Sequence, residues 1–191
     1  MTRRVLWFLG FACSVAFATA EAATYPQIDF QPESGRFNAA TEEYREIWRT
    51  EGERISAALE AATGLEMEAG PIKAIVFEGV SNSGYKWKPM RMRASYPADT
   101  KRATLVHELA HRLIADLSSW NLEEHPIIFL FVYDVWVKLW GQEFADEQVA
   151  VESERRGRYD YESAWRDALA LSPEERAKRW SQFLNSRGRS P

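Results

Sequence analysis

The spacing of apolar residues predicts helices over most of the chain. Between residues 39 and 63 apolar side chains recur every three to four positions, and Gly64 follows at the place where glycine commonly ends a helix. Residues 101–117 show the same spacing behind Asp99 and Thr100, and neither proline nor glycine interrupts them. Residues 126–140 are apolar on nearly every side, which is typical of a buried helix. Three further helices are predicted over residues 142–156, 161–171 and 173–184.

Two short segments between the first two long helices predict a β-hairpin. Residues 71–80 contain a run of apolar residues that suits a buried strand, and residues 81–84, Ser-Asn-Ser-Gly, have the composition of a turn. The segment Tyr85 to Met92 alternates between two faces, and Pro89 favours the edge of a sheet. Residues 25–37, with two prolines and one glycine, predict an irregular lead-in. The predicted fold is therefore α+β: an N-terminal helix, a small antiparallel sheet, and a mostly helical C-terminal half.

The first twenty residues have the pattern of a secretory signal peptide. Arg3 and Arg4 precede a strongly apolar run from Val5 to Ala18, and small residues follow, so we expect cleavage after Ala20 or Ala22. The apolar run is too short for a comfortable membrane span, so no lasting anchor is expected. Residues 21–191 are then one domain of ordinary size.

The amino-acid composition limits which cellular compartment and which binding partners we expect. Cys13 is the single cysteine of the 191 residues and would leave with the signal peptide, which excludes disulfides and zinc–thiolate sites in the mature chain. An exported chain without disulfides fits a bacterial periplasm better than an animal extracellular space, so we expect a bacterial protein that is periplasmic or extracellular. The formal net charge of -4 argues against nucleic acid as a partner.

The sequence His107-Glu108-Leu109-Ala110-His111 lies within the predicted helix of residues 101–117. Residues four apart on a helix leave the same face, so the two imidazoles can bind one metal ion. Zinc accepts imidazole nitrogen readily, and Glu108, about 100° around the helix, can reach a metal-bound water without being a ligand itself. This is the HExxH arrangement of zinc metalloproteases, and it predicts one catalytic Zn²⁺.

A catalytic zinc site requires a third protein ligand. His125, the only other histidine of the chain, is the predicted one. Glu152 is the first alternative, because it lies on the apolar side of its predicted helix, and Asp134 and Glu124 also stay open. Asp134 has two interpretations, a pair with Lys138 one turn away or an acceptor that orients a ligand histidine.

The motif and its surroundings resemble the zincin metallopeptidases, in particular their small gluzincin-like members. Thr104, the uncharged Leu109 and Ala110, and Leu113 match residue preferences around the zincin motif, whereas Arg112 stands where an uncharged residue is usual. The resemblance covers about a third of the chain, and only the pentapeptide is specific.

The resemblance implies a zincin fold in which the strand before the motif helix binds an extended peptide, here Tyr85 to Met92. The same segment can instead be an edge strand whose charges prevent aggregation. Zincins usually add a tyrosine or histidine that stabilises the oxyanion, and Tyr133, Tyr159 and Tyr161 are the candidates.

We therefore expect an exported zinc-dependent hydrolase, a metallopeptidase that acts on peptide or protein substrates with Glu108 as general base. Two alternatives stay open: a non-catalytic zinc-binding module with a zincin fold, and a zinc amidase that acts on cell-wall material.

Overall fold

The computed structural model describes residues 25–84, 88–118, 123–157 and 159–189. The predicted signal peptide, residues 1–20, lies outside these ranges. The elements in chain order are β1 (Ile28–Pro32), a 3-10 turn (Gly35–Phe37), α1 (Asn38–Thr63), β2 (Ile72–Phe77), β3 (Met90–Arg93), α2 (Ala98–Ile114), α3 (His125–Trp140), α4 (Gln142–Ser153), α5 (Tyr161–Leu169) and α6 (Pro173–Ser186).

The helices confirm the predictions made from apolar spacing, with ends that differ by a few residues. Gly64 has a φ of 70°, and its backbone N–H donates to the carbonyl of Glu60, as expected of a glycine that ends a helix. At the other end of the chain, Ser172 and Glu175 bond each other's backbone N–H groups in a capping box that begins α6. Local capping chemistry thus defines both helix ends.

The predicted antiparallel hairpin is wrong. The sheet has three strands in the order β1-β2-β3, and both pairings are parallel. The turn residues do reverse the chain, since Gly84 has a φ of 62° and Asn82 forms an isolated antiparallel bridge with Arg91. The connection between β2 and β3, residues 78–89, is nevertheless as long as the roughly dozen residues that a parallel crossover requires. The chain therefore re-enters the sheet alongside β2 in the same direction.

The predicted irregular lead-in is also wrong, because it contains β1. Phe30 is buried, and Ile28 pairs with Ile72 at the start of β2. Pro26 precedes the strand and Pro32 is its last residue, so neither interrupts the interior of the strand. Since α1 connects β1 to β2, the first two strands form a β-α-β unit, in which parallel pairing is the usual outcome.

Helix α3 is the centre of the helical half, and it packs against α1, α2, α4, α5 and α6. Its apolar character on every side follows from these neighbours. Phe129 stacks on Trp165 of α5, with ring centroids 3.6 Å apart. This packing fixes the N-terminus of α3, and with it His125, beside the motif helix α2.

Arg112, which departs from the zincin pattern, joins the motif helix to two preceding loops. Its guanidinium forms a two-point ion pair with the carboxylate of Glu68 and donates to the carbonyl of Ser83, at 2.8 Å. A charge at this position is accommodated because the side chain is fully engaged away from the motif histidines.

Across the described ranges, no helix combines the length and the apolar character needed to cross a membrane.

Candidate metal centre

Three histidines converge at the contact between α2 and α3. His107 and His111 lie one turn apart on α2, and His125 is the first residue of α3. One ligand atom from each side chain lies within 4.8 Å of the other two. The Nε2 atoms of His107 and His111 are 3.2 Å apart, close to the roughly 3.3 Å expected between two nitrogens that bind one tetrahedral metal at about 2.0–2.1 Å. The three histidines are therefore close enough to bind one metal ion.

Each of these histidines also contacts its own glutamate through Nδ1. The distances are 3.0 Å from His107 to Glu152, 2.5 Å from His111 to Glu124, and 2.5 Å from His125 to Glu123. An ionised carboxylate only accepts hydrogen bonds, so each Nδ1 carries the hydrogen and each neutral ring keeps a lone pair on Nε2. Metal-binding histidines are regularly oriented in this way by carboxylates.

The pKa values of the ring nitrogens support neutral imidazoles at two of the three positions. Burial lowers the pKa of His107 to about 4. Burial, together with the nearby His111, also lowers the pKa of His125. For His111 burial acts in the same direction, but Glu124 and Glu108 outweigh it, and the pKa is raised. His107 and His125 therefore present lone pairs at neutral pH, which a metal ion requires of its ligands.

Glu152, the first alternative for the third ligand, is instead the partner of His107. It is buried, and burial alone would raise its pKa, but the contact with His107, the charge of Arg155 and a hydrogen bond from Trp165 Nε1 (3.1 Å) lower the pKa to about 2. Its carboxylate lies on the Nδ1 side of the His107 ring, whereas Nε2 of that ring faces Nε2 of His111. Glu124 stands in the same relation to His111.

Neither interpretation of Asp134 is what the structure shows. Its two oxygens bind the guanidinium of Arg176, at 2.6 and 2.9 Å, and so connect α3 to α6. The orienting role predicted for Asp134 falls to Glu123, Glu124 and Glu152. The sequence contained one signal for two of them, since Glu123 and Glu124 directly precede His125.

Glu108 is buried next to the histidine cluster. Burial raises its pKa to about 7, although His111 and Arg155 act against this shift. A carboxyl group that titrates near neutral pH is suited to accept a proton and return it.

Two of the three candidate tyrosines adjoin the cluster. The ring centroids of Tyr159 and Tyr161 lie 4.9 and 4.4 Å from that of His125. Tyr133 instead donates a hydrogen bond to Asp146, at 2.7 Å. Burial raises the pKa of Tyr161, so its hydroxyl stays protonated and able to donate at neutral pH.

The contact between Glu152 and His107 leads to a prediction. Glu152→Gln keeps the shape of the side chain but removes the charge that orients His107, so we expect zinc affinity to fall by roughly 10- to 100-fold in a competition titration with a chelator. Asp134→Asn is the matched control: it weakens the pair with Arg176 and should lower thermal stability while leaving zinc affinity unchanged. Equal zinc affinities for both variants would contradict the role of Glu152.

Fold and site together define a helical α+β protein with a three-histidine, carboxylate-supported centre able to hold a metal ion. Comparison with protein families, with curated proteins and with solved structures found no match. The function is therefore inferred from the centre itself.

Proposed function

We propose that this chain is a zinc-dependent hydrolase, a metallopeptidase of the HExxH type. His107, His111 and His125 hold one Zn²⁺, and Glu108 is the general base. The observation that supports the proposal is the shared geometry of the three histidines: each has Nδ1 on a glutamate, and one ring nitrogen of each lies within 4.8 Å of the others.

The choice of zinc follows from the donor set. Three neutral imidazole nitrogens with a fourth position for water are typical of catalytic zinc, and hard cations such as Mg²⁺ prefer oxygen ligands. The surroundings also favour a cation, because the carboxylates of Glu123, Glu124 and Glu152 each contact one histidine of the cluster, and Arg155 offsets one of the three charges.

The reaction assigns a separate task to each group. When bound, zinc would polarise the scissile carbonyl and acidify a water molecule. Glu108 would accept a proton from the water as its oxygen bonds to the carbonyl carbon, and would return that proton to the amine nitrogen as the C–N bond breaks. The raised pKa of Glu108 suits both transfers, since the group must lose the proton again in every cycle.

We also propose that a peptide substrate binds along the segment Tyr85 to Met92, but only at positions whose backbone groups are not already paired. Residues 85–87 lie outside the described ranges. At Arg91 the backbone N–H and carbonyl already bond Asn82, both at 2.9 Å. A substrate backbone that pairs with this segment would therefore have to pair elsewhere along it or replace Asn82.

The test uses the exported form, without residues 1–20, purified from a bacterial periplasm. We expect one zinc per chain by elemental analysis and cleavage of an unfolded protein that stops when a chelator removes the metal and resumes when zinc is added back. Peptidoglycan fragments serve as the competing substrate. Cleavage of peptidoglycan alone would replace the peptidase with a cell-wall amidase, and zinc binding without any cleavage would leave a non-catalytic zinc module.

A further inference from the structure

A surface cavity of about 270 Å³ adjoins the histidine cluster on the side of Tyr159 and Tyr161. Both tyrosines line it, and their rings are the ones packed against His125. The volume is below the roughly 300–1,000 Å³ of pockets for drug-sized ligands, so it suits one residue of a substrate rather than a long segment.

Arg155 lies between this cavity and the metal centre. Arg155 lines the cavity, and its guanidinium contacts Glu152 Oε1 at 3.2 Å and lies 5.6 Å from the centroid of the Tyr161 ring. The side chain is 20% exposed, so part of it is reached by solvent. Within the described part of the chain, its Nε–H is buried without a hydrogen-bond partner.

A guanidinium can serve two carboxylates at once, because it has five N–H donors in a planar fork. Glu152, Thr104 (at 3.4 Å) and the side chain of Tyr161 use only part of this set. Asp160, one of the two acidic residues that line the cavity, already accepts a hydrogen bond from the backbone of Ser163 as the cap of α5. Two arginines line the cavity: Arg156 donates to the carbonyl of Ser153, whereas Arg155 contacts Glu152 of the metal centre, so Arg155 is the cation that can hold an anion beside that centre.

We propose that Arg155 binds a carboxylate of the substrate in this cavity and so directs cleavage to an amide bond beside a carboxylate-bearing residue. The inference rests on the proposed function and adds the substrate class. The carboxylate can be the C-terminus of a peptide or the side chain of an aspartate or glutamate, and the experiment separates these two sources.

Binding is measured by calorimetry on the zinc-loaded Glu108→Gln protein, in which turnover should be slowed by roughly 100- to 10,000-fold. The probes are N-acetyl-Ala-Ala-Phe as free acid and as amide, and N-acetyl-Ala-Asp-Phe-amide beside its Asn counterpart. We expect one of the two carboxylate peptides to bind at least about tenfold tighter than its neutral partner, and the pair that shows the preference identifies the source. Equal binding within both pairs would overturn the proposal.

Arg155→Met, added to the same protein, should remove the preference, whereas Arg155→Lys should retain a reduced one because it keeps the charge without the fork. Arg166→Met removes an exposed arginine from α5 and is the matched control, with the preference intact. Because Arg155 also contacts Glu152, zinc content is measured in each variant. The two dissociation constants within a peptide pair are compared as a ratio, so a general loss of binding does not change the result. A preference that survives Arg155→Met, or that disappears with Arg156→Met instead, would contradict the assignment.

Failure of this inference and failure of the proposed function give different results. Cleavage by the parent protein without any carboxylate preference would overturn the role of Arg155 alone. A carboxylate preference in a parent protein that cleaves nothing would overturn the peptidase proposal alone.

Discussion

Replacing His125 with alanine is expected to abolish stoichiometric zinc binding. The change removes one of three ring nitrogens that lie within 4.8 Å of one another, and the two remaining histidines on α2 cannot complete the usual coordination of catalytic zinc. We expect the loss of zinc affinity to exceed the roughly 10- to 100-fold effect of removing a carboxylate that only orients a ligand histidine. Elemental analysis after dialysis, followed by a chelator competition titration, measures it.

The matched control for this variant is Glu123→Gln, which changes the partner of His125 but keeps the ligand. It should retain zinc with a smaller loss of affinity. Circular dichroism spectra of both variants establish that α3 is still formed. If His125→Ala bound zinc as tightly as the parent, the third ligand would have to be sought elsewhere, and the convergence of the three rings would be a packing effect.

Replacing Glu108 with glutamine is expected to separate chemistry from metal binding. The amide has nearly the same shape but cannot accept a proton from water, so kcat should fall by roughly 100- to 10,000-fold, while zinc content stays at one per chain. Initial rates on the unfolded-protein substrate, measured beside elemental analysis of the same preparation, provide the test.

Glu147 is an exposed residue of α4, and the variant Glu147→Gln is the control for the loss of one carboxylate. It should leave both quantities unchanged. Undiminished cleavage by Glu108→Gln would exclude this residue as the base. Loss of zinc together with activity would indicate that Glu108 supports the cluster rather than the reaction.

The helices and the first two metal ligands could be predicted because their signals are local. Apolar spacing, Gly64 after α1, and the four-residue interval between His107 and His111 each depend on a few neighbouring residues. The third histidine could be named because the chain offers one more, but its approach to α2 depends on how α3 packs among five other helices.

The sheet could not be predicted correctly, because strand direction depends on contacts between distant residues. β1 has only Ile28 and Phe30 as apolar residues, and its partner β2 lies beyond the whole of α1. The turn signal of residues 81–84 was real, yet it produced only the bridge between Asn82 and Arg91. Local turn chemistry therefore does not determine the direction in which the next strand pairs with β2.

The glutamates that contact the histidines through Nδ1 can be predicted from the sequence only in part. The pattern places Glu152 on an apolar helix face, but a ligand and a hydrogen-bond partner of a ligand produce the same pattern of burial. Asp134 is the one acidic residue of α3, and its carboxylate pairs with Arg176 of α6, which no local pattern connects with it.

The central position of β2 has a practical consequence for shortened forms of this protein. β2 is hydrogen-bonded to β1 along one side and to β3 along the other. A fragment that begins after Pro32 would leave one side of an apolar strand with unpaired backbone groups, and such an edge readily recruits a strand from another molecule. Fragments designed for crystallisation or labelling should therefore retain residues 28–32, or they will tend to aggregate.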